Sequence, residues 1–287
     1  MVAFSDAQPG SAVVILEAPF VFDLLVKACS ESKKIDSALE IYSVLKSKRV
    51  LLKTSTLNCL IELVSKTRSC FAGYDLEGML DKAEEVWEEY ARVGCLPNVY
   101  RFNVLMATYC DNGRMEDAMR VWEEMEDKGL THDAVAYNTI IGGLCRAGEV
   151  ERAEEIYREM VMQGVDSSCI TFEHLINGYC EIGDVDSAMM LYKDMCRKIF
   201  SPSSSTVNTI IRLLCDKNEI SAASDFWWMA SKKHDAALER ENYENLVKGL
   251  CGEGKMEEAL KIQAEMAVKG FQPNADMYGV FIDGYDN

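Results

Sequence analysis

VYRFNVLMATYCDNGRMEDAMRVWEEMEDKGLTHD (residues 99–133) is followed directly by AVAYNTIIGGLCRAGEVERAEEIYREMVMQGVDSS (residues 134–168), and the two 35-residue segments share one pattern. In the first segment, apolar residues have the i, i+3, i+4, i+7 spacing of one helix face: Phe102, Leu105, Met106 and Tyr109. Gly113 and Gly129 follow the first and second apolar series, and glycine commonly ends a helix in the left-handed conformation. Each segment therefore predicts two antiparallel helices joined by a short turn.

The same pattern extends over nearly the whole chain. After an arm at residues 1–18, full units run over residues 19–53, 54–98, 99–133, 134–168, 169–203, 204–239 and 240–274, with a partial unit at 275–287. The unit at 54–98 carries about ten extra residues near 66–79, and insertions in repeats usually map to loops. One unit cannot bury its own apolar face, so neighbouring units must stack. We predict an all-α protein, an α-solenoid of helix-turn-helix repeats, and we expect the natural chain to continue beyond Asn287.

Three residue types recur in register and are predicted to be core. Cysteines recur at steps of 35, 35, 35 and 36: Cys110, Cys145, Cys180, Cys215 and Cys251. An alanine recurs where two helices would cross closely: Ala38, Ala83, Ala118, Ala153, Ala188, Ala223 and Ala259. Tryptophans share a register at Trp87, Trp122 and Trp227. Free cysteine behaves as a small buried hydrophobe, and the chain lacks Cys-x-x-Cys pairs, so these thiols predict a reducing compartment rather than a zinc site.

Composition argues against several functional classes. The net charge of −17 opposes long-range attraction to a polyanion, and no apolar run approaches the ~18 residues of a membrane span. The three histidines, His132, His174 and His234, occupy unrelated registers, which predicts no shared metal site or catalytic dyad. Residues 249–255 match G-x-x-x-x-G-K, but Met256 replaces the Ser or Thr that a magnesium site needs. We therefore predict a binding scaffold without enzymatic activity, metal or cofactor.

The segment AYNTIIGGLCRAG at residues 136–148 resembles the first helix of a pentatricopeptide repeat of the P class. FNVLM at 102–106 and LNCLI at 57–61 repeat the theme, as do the Pro-Asn endings at 97–98 and 273–274. A tetratricopeptide repeat would instead have Gly at the eighth position and Ala near the twenty-seventh. The resemblance covers residues 19–287 and implies a right-handed solenoid from a plant organelle. It further implies a protein that binds single-stranded RNA, one nucleotide per repeat, and steers RNA processing, stability, splicing or translation. It favours the mitochondrion over the chloroplast, although the first basic residue, Lys27, leaves no visible presequence.

In that family the fifth and last residues of a unit read the base edge together. Carried over, the pairs are Asp23 with Lys53, Asn58 with Asn98, Asn103 with Asp133, Asn138 with Ser168, Glu173 with Ser203, Asn208 with Glu239, and Glu244 with Asn274. By resemblance, Asn103 and Asp133 would read uracil, Asn58 and Asn98 cytosine, and Asn138 and Ser168 a pyrimidine. The second residue of a unit would pack on base faces, as at Tyr100, Val135 and Ile170. A further register would contact phosphate, and its basic members are Lys66 and Arg146.

Several positions depart from this pattern and keep a second hypothesis open. Glu241 and Asp276 place carboxylates where a base would lie, and the phosphate register is mostly acidic or neutral: Glu31, Asp111, Glu181, Asp216 and Gly252. RNA binding is therefore expected to be weak, salt-sensitive and centred on residues 54–168. The alternative is a protein-interaction scaffold whose acidic face, with Glu173, Glu241 and Glu244, binds a basic partner. A third reading, the repeat portion of a larger enzyme, also stays open.

Overall fold

The computed structural model describes residues 24–29, 32, 34–47, 56, 59–60, 98–234, 238–273, 277–279 and 281, and within these ranges all regular structure is helical. The helices are α1 Ile35–Ser47, α2 Val99–Asp111, α3 Met115–Asp127, α4 Ala134–Arg146, α5 Val150–Met162, α6 Cys169–Glu181, α7 Val185–Arg197, α8 Ser204–Asp216, α9 Ile220–His234, α10 Arg240–Gly252 and α11 Met256–Val268. The helices α2, α4, α6, α8 and α10 begin at the first residues of sequence units. Residues 1–18 and 66–79 lie outside the described ranges.

The chain divides into two compact units, one up to Ile140 and one from Ile141 onward. In the first unit α2 packs against α3; in the second, α6 packs against α7, α8 against α9, and α10 against α11. First helices of successive repeats also pack against each other there, α6 against α8 and α8 against α10. This nearest-neighbour packing is the arrangement predicted for stacked repeats. No helix in the described ranges is long and apolar enough to cross a membrane.

Left-handed residues join the two helices of each described repeat, as predicted. Gly113 has φ +73°, and Asn218, the one asparagine in this register, has φ +60°. The Gly148 N–H donates to the carbonyl of Cys145 at 3.1 Å, and the Glu149 N–H donates to that of Leu144 at 2.9 Å. These two bonds form the Schellman motif, which satisfies the last carbonyls of a helix and requires a left-handed residue. The turn chemistry therefore sets the length of the first helix.

The predicted core registers are buried wherever the structure describes them. Ala38, Ala118, Ala153, Ala188, Ala223 and Ala259 have no exposed surface, and Trp122 and Trp227 are buried. Cys110, Cys145, Cys180 and Cys251 are buried free thiols, whereas Cys215 is only half-buried. A Cβ added to Gly178 would lie 2.8 Å from the Cys145 sulfur, so the backbone of α6 passes directly over this thiol. These cysteines act as packing groups. Ala83 and Trp87 lie outside the described residues.

Candidate nucleic-acid interface

Each of three first helices presents an apolar side chain to solvent in its first turn. Tyr100, Val135 and Ile170 are the second residues of α2, α4 and α6, and they are 52%, 58% and 54% exposed. In this register the family resemblance expects an apolar side chain that packs on the flat face of a nucleobase. Ser205 and Glu241 take the same register in α8 and α10, and they are exposed polar groups.

The last residue of a unit begins the first helix of the next unit as its N-cap. Ser168 and Ser203 accept hydrogen bonds from the backbone N–H of Thr171 (3.4 Å) and Thr206 (3.3 Å), and Ser168 completes a reciprocal capping box. Asn98 caps α2 in the same way through the Arg101 N–H, at 3.1 Å. Extended backbone at these positions and a side-chain acceptor are what an N-cap requires. The capping requirement therefore fixes where these polar side chains lie.

Asn103 and Asp133 form a direct pair within the repeat at residues 99–133. The Nδ2 atom of Asn103 donates to Oδ1 of Asp133 at 2.9 Å, and the same oxygen accepts the Ala136 N–H at 2.8 Å. Asn103 is 6% exposed. Its Oδ1 atom is buried and has no hydrogen-bond partner among the described residues. A buried amide oxygen without a donor is destabilising by about 1–3 kcal/mol, so a ligand that donates to it would gain affinity.

The fifth and last residues also meet in the repeats at residues 169–203 and 204–239. The Ser203 N–H donates to Glu173 Oε1 at 2.6 Å, and the Glu239 N–H donates to Asn208 Oδ1 at 2.8 Å. Glu244 instead accepts from the Arg240 guanidinium at 2.9 Å. The structure therefore brings three of the predicted pairs together.

The remaining predicted residues fall into two groups. Asn138 and Ser168 are each half-buried, the first in α4 and the second before α6, while Asn98 is exposed before α2. Asn58, Lys66 and Asn274 lie outside the described residues, so their predicted roles stay predictions.

Positive charge is sparse in the predicted phosphate register. Arg146 is exposed at the end of α4, whereas Asp111, Glu181 and Asp216 are exposed acids at the equivalent ends of other first helices. His174 adds no charge at neutral pH, because burial first and Arg146 second lower the pKa of its imidazole. Its ring packs over Gly142, where an added Cβ would lie 3.0 Å from two ring atoms. A polyanion bound along this register would therefore meet Arg146 among three exposed carboxylates.

The carboxylates behind the alternative hypothesis differ in availability. Glu173 accepts a backbone hydrogen bond and Glu244 is held by Arg240, so both are engaged within the protein. Glu241 is exposed in the first turn of α10. The role of this acidic face in holding a basic partner stays a prediction.

One residue of this surface was missed by sequence reasoning. Asn242, the third residue of α10, is buried and donates to Asn208 of the preceding repeat. The signal was present in the aligned units, whose third residues are Arg101, Ala136, Thr171, Thr206 and Asn242. Asparagine occurs there once, and that difference points to the contact.

Comparison with known proteins supports the repeat assignment. The PPR repeat family matches residues 132–180, 167–216 and 242–287, and the PPR repeat matches residues 93–126, together more than half of the chain. A pentatricopeptide repeat-containing protein of Arabidopsis thaliana is 41% identical over 95 residues, which cover 32% of this chain and 19% of that protein. A second one, described as mitochondrial, is 30% identical over 92 residues, which cover 31% of this chain and 13% of that protein. The matched segments thus span less than a fifth of either relative.

Solved structures show the same fold. The maize pentatricopeptide repeat protein PPR10 superposes with a TM-score of 0.58 at 16% identity, over 99% of this chain and 49% of that chain. The PPR domain of the Arabidopsis thaliana protein-only RNase P 1 gives a TM-score of 0.57 at 17% identity, over 68% of this chain and 97% of that chain. The turns, the in-register core and the family matches agree: this chain is a helical-repeat scaffold that belongs to the pentatricopeptide repeat family.

Proposed function

We propose that this chain binds single-stranded RNA without catalysing a reaction, and that Asn103 and Asp133 read one uracil. The observation that carries the proposal is the arrangement of apolar and polar side chains around the repeat at residues 99–133. Exposed apolar Tyr100 lies three residues before Asn103, and exposed Val135 lies two residues after Asp133. A hydrogen-bonding pair thus has an apolar group in the first turn of each of its two helices. Proteins read unstacked bases in this way, by covering their faces and hydrogen-bonding their edges.

Uracil suits the polar pair chemically. Its N3–H is a donor and its two carbonyls are acceptors, while the Asn103 amide carries both an acceptor oxygen and a donor NH2 group. The buried Asn103 oxygen has no donor among the described residues, so the uracil N–H would satisfy it. Guanine is larger than uracil, and its base edge has a different order of hydrogen-bond donors and acceptors. It should therefore fit the Asn103–Asp133 pair less well than uracil does.

The relatives agree with RNA as the ligand. PPR10 of maize has been solved in complex with an 18-nt psaJ RNA element, and the PPR domain of the protein-only RNase P 1 in complex with tRNA. By family resemblance, we extend the same role to this chain, with pyrimidines preferred by the pairs Asn58–Asn98, Asn103–Asp133 and Asn138–Ser168. We place its action in an organelle, the mitochondrion, where it would steer processing, stability, splicing or translation of its target.

The proposal is tested by binding of short oligonucleotides. The full chain is titrated with a single-stranded RNA containing CUC, with the same RNA containing CGC, and with a basic peptide of equal length. We expect CUC to bind at least about fivefold more tightly than CGC, since one good base contact contributes about 1–3 kcal/mol. Equal affinity for the two RNAs contradicts the readout. Binding of the peptide and not of RNA favours the protein-partner hypothesis instead.

A matched variant tests the assignment to this pair. Asp133→Asn gives the pair the asparagine–asparagine combination of Asn58 and Asn98, and asparagine keeps the capacity to cap α4. By resemblance, the preference at this nucleotide should change from uracil toward cytosine, with the melting temperature unchanged. An unchanged uracil preference would show that another pair reads this nucleotide.

A further inference from the structure

Asn242 contacts the predicted reading residue of the preceding repeat. Its Nδ2 atom donates to Asn208 Oδ1 at 2.8 Å and to the Asn208 backbone carbonyl at 3.0 Å. Both side chains are buried, at 4% and 5% exposure. The contact joins α10 to α8, two first helices that pack against each other in the second unit.

The acceptor oxygen of Asn208 is fully occupied within the protein. Its oxygen accepts from Asn242 and from the Glu239 N–H at 2.8 Å, and its nitrogen donates to the Ser204 carbonyl at 2.8 Å. An amide oxygen has two lone pairs, so no acceptor capacity remains for a base. Asn103 differs, because its oxygen is without a partner among the described residues. The third residue of α4, the first helix of the following repeat, is Ala136, which has no polar side chain.

We infer that Asn242 is a specificity-determining residue that prevents the repeat at residues 204–239 from discriminating between bases. This inference rests on the proposed RNA binding. A base N–H could reach the Asn208 oxygen only by displacing one of its two donors, the Asn242 side chain or the Glu239 backbone N–H. Removing a hydrogen-bond partner from a buried polar group is costly. The nucleotide opposite this repeat is therefore accepted whatever its base, although Asn208 has the residue type that reads bases elsewhere in the chain.

Two variants separate the effect of Asn242 from that of Glu239. Glu239→Ser supplies a serine as last residue, as in the pair Asn138–Ser168, but leaves Asn242 in place. The double variant Glu239→Ser with Asn242→Thr also removes the occupying amide. Threonine is the third residue of the two preceding units, where Thr171 and Thr206 stand beside the N-cap serines Ser168 and Ser203. The double variant therefore reproduces a capping arrangement that this chain already uses.

Affinity is measured for RNAs in which every nucleotide is substituted in turn by each of the other three. The wild type and Glu239→Ser should discriminate at the same positions, including the uracil read by Asn103. The double variant should gain one new position, with a cytosine preference of at least about fivefold. Circular dichroism melting curves establish that both variants fold.

The outcomes distinguish this inference from the proposed function. A new preference already in Glu239→Ser overturns the role of Asn242, and this variant leaves the buried contact of Asn242 with Asn208 in place. A folded double variant without a new preference also overturns it, provided that the uracil read by Asn103 is still discriminated. If the wild type discriminates between bases at no position, the proposed RNA readout itself is wrong.

Discussion

At the residue scale, the recurring alanine shows how little room the helix crossings leave. Ala153 of α5 has no exposed surface, and all described members of its register are equally buried. We expect Ala153→Leu to lower the free energy of unfolding by about 1–3 kcal/mol, because three added carbon atoms overpack the contact. Urea denaturation measures the effect. Glu155→Ala, an exposed change on the same helix, should stay within about 0.5 kcal/mol of the wild type. An unchanged urea midpoint for Ala153→Leu would contradict the close crossing.

The buried cysteines should be chemically inert in the folded protein. Burial raises the pKa of the Cys145 and Cys180 thiols to about 12. Because the thiolate is the nucleophile, roughly one molecule in ten thousand is reactive at pH 8. We expect maleimide to leave both residues unlabelled at pH 8 in the native protein, as read by peptide mass spectrometry. Labelling of both after denaturation is the control, and half-buried Cys196 is the internal reference. Fast native labelling of Cys145 would contradict its role as a core residue.

At the scale of the helix, α7 depends on a charged N-cap. The carboxylate of Asp184 accepts the Ser187 N–H at 3.0 Å and the Ser187 hydroxyl at 2.8 Å. We expect Asp184→Ala to lower the free energy of unfolding at pH 7 by about 1 kcal/mol. Asp184→Asn should retain part of the cap, since asparagine is also a good N-cap residue. Equal urea midpoints for the wild type and Asp184→Ala would show that the cap contributes nothing.

The same cap should make stability depend on pH. The hydrogen bonds from the Ser187 backbone and hydroxyl lower the pKa of Asp184 below its ordinary value of 3.8. A lowered pKa in the folded state means that the stabilisation is complete above the unfolded pKa and is lost as pH falls through the folded one. The stability advantage of the wild type over Asp184→Asn should therefore shrink between pH 5 and pH 2. Urea midpoints that differ by the same amount throughout that range would contradict this cause.

At the scale of the whole molecule, charge limits how RNA can be held. The net charge is −17, and among the described positions of the phosphate register Arg146 alone is basic. In a plot of the logarithm of affinity against the logarithm of salt concentration, each phosphate that the protein neutralises contributes about −0.7 to the slope. We expect a shallow slope for the wild type, a shallower one for Arg146→Ala, and a slope about 0.7 steeper for Asp111→Lys. Identical slopes in all three proteins would show that this register does not contact phosphate.

The sequence by itself determined the period, the helix pairs and the core. The left-handed conformations of Gly113 and Asn218 and the burial of the alanine register followed from local rules. Each repeat packs mainly on its neighbours, so a short-range pattern repeated along the chain encodes most of the fold. Family resemblance named the candidate reading residues, and the structure brought Asn103 to Asp133.

Only the tertiary structure decided which of these polar groups keep unused hydrogen-bonding capacity. Asn103 and Asn208 share a register and a residue type, yet among the described residues the Asn103 oxygen has no donor, whereas the Asn208 oxygen accepts two hydrogen bonds. The half-buried state of Cys215 is a second difference that its register did not predict. Whether the Asn208 oxygen is occupied depends on Asn242, a side chain 34 residues away in the next repeat. That side chain meets Asn208 only when α8 and α10 pack together.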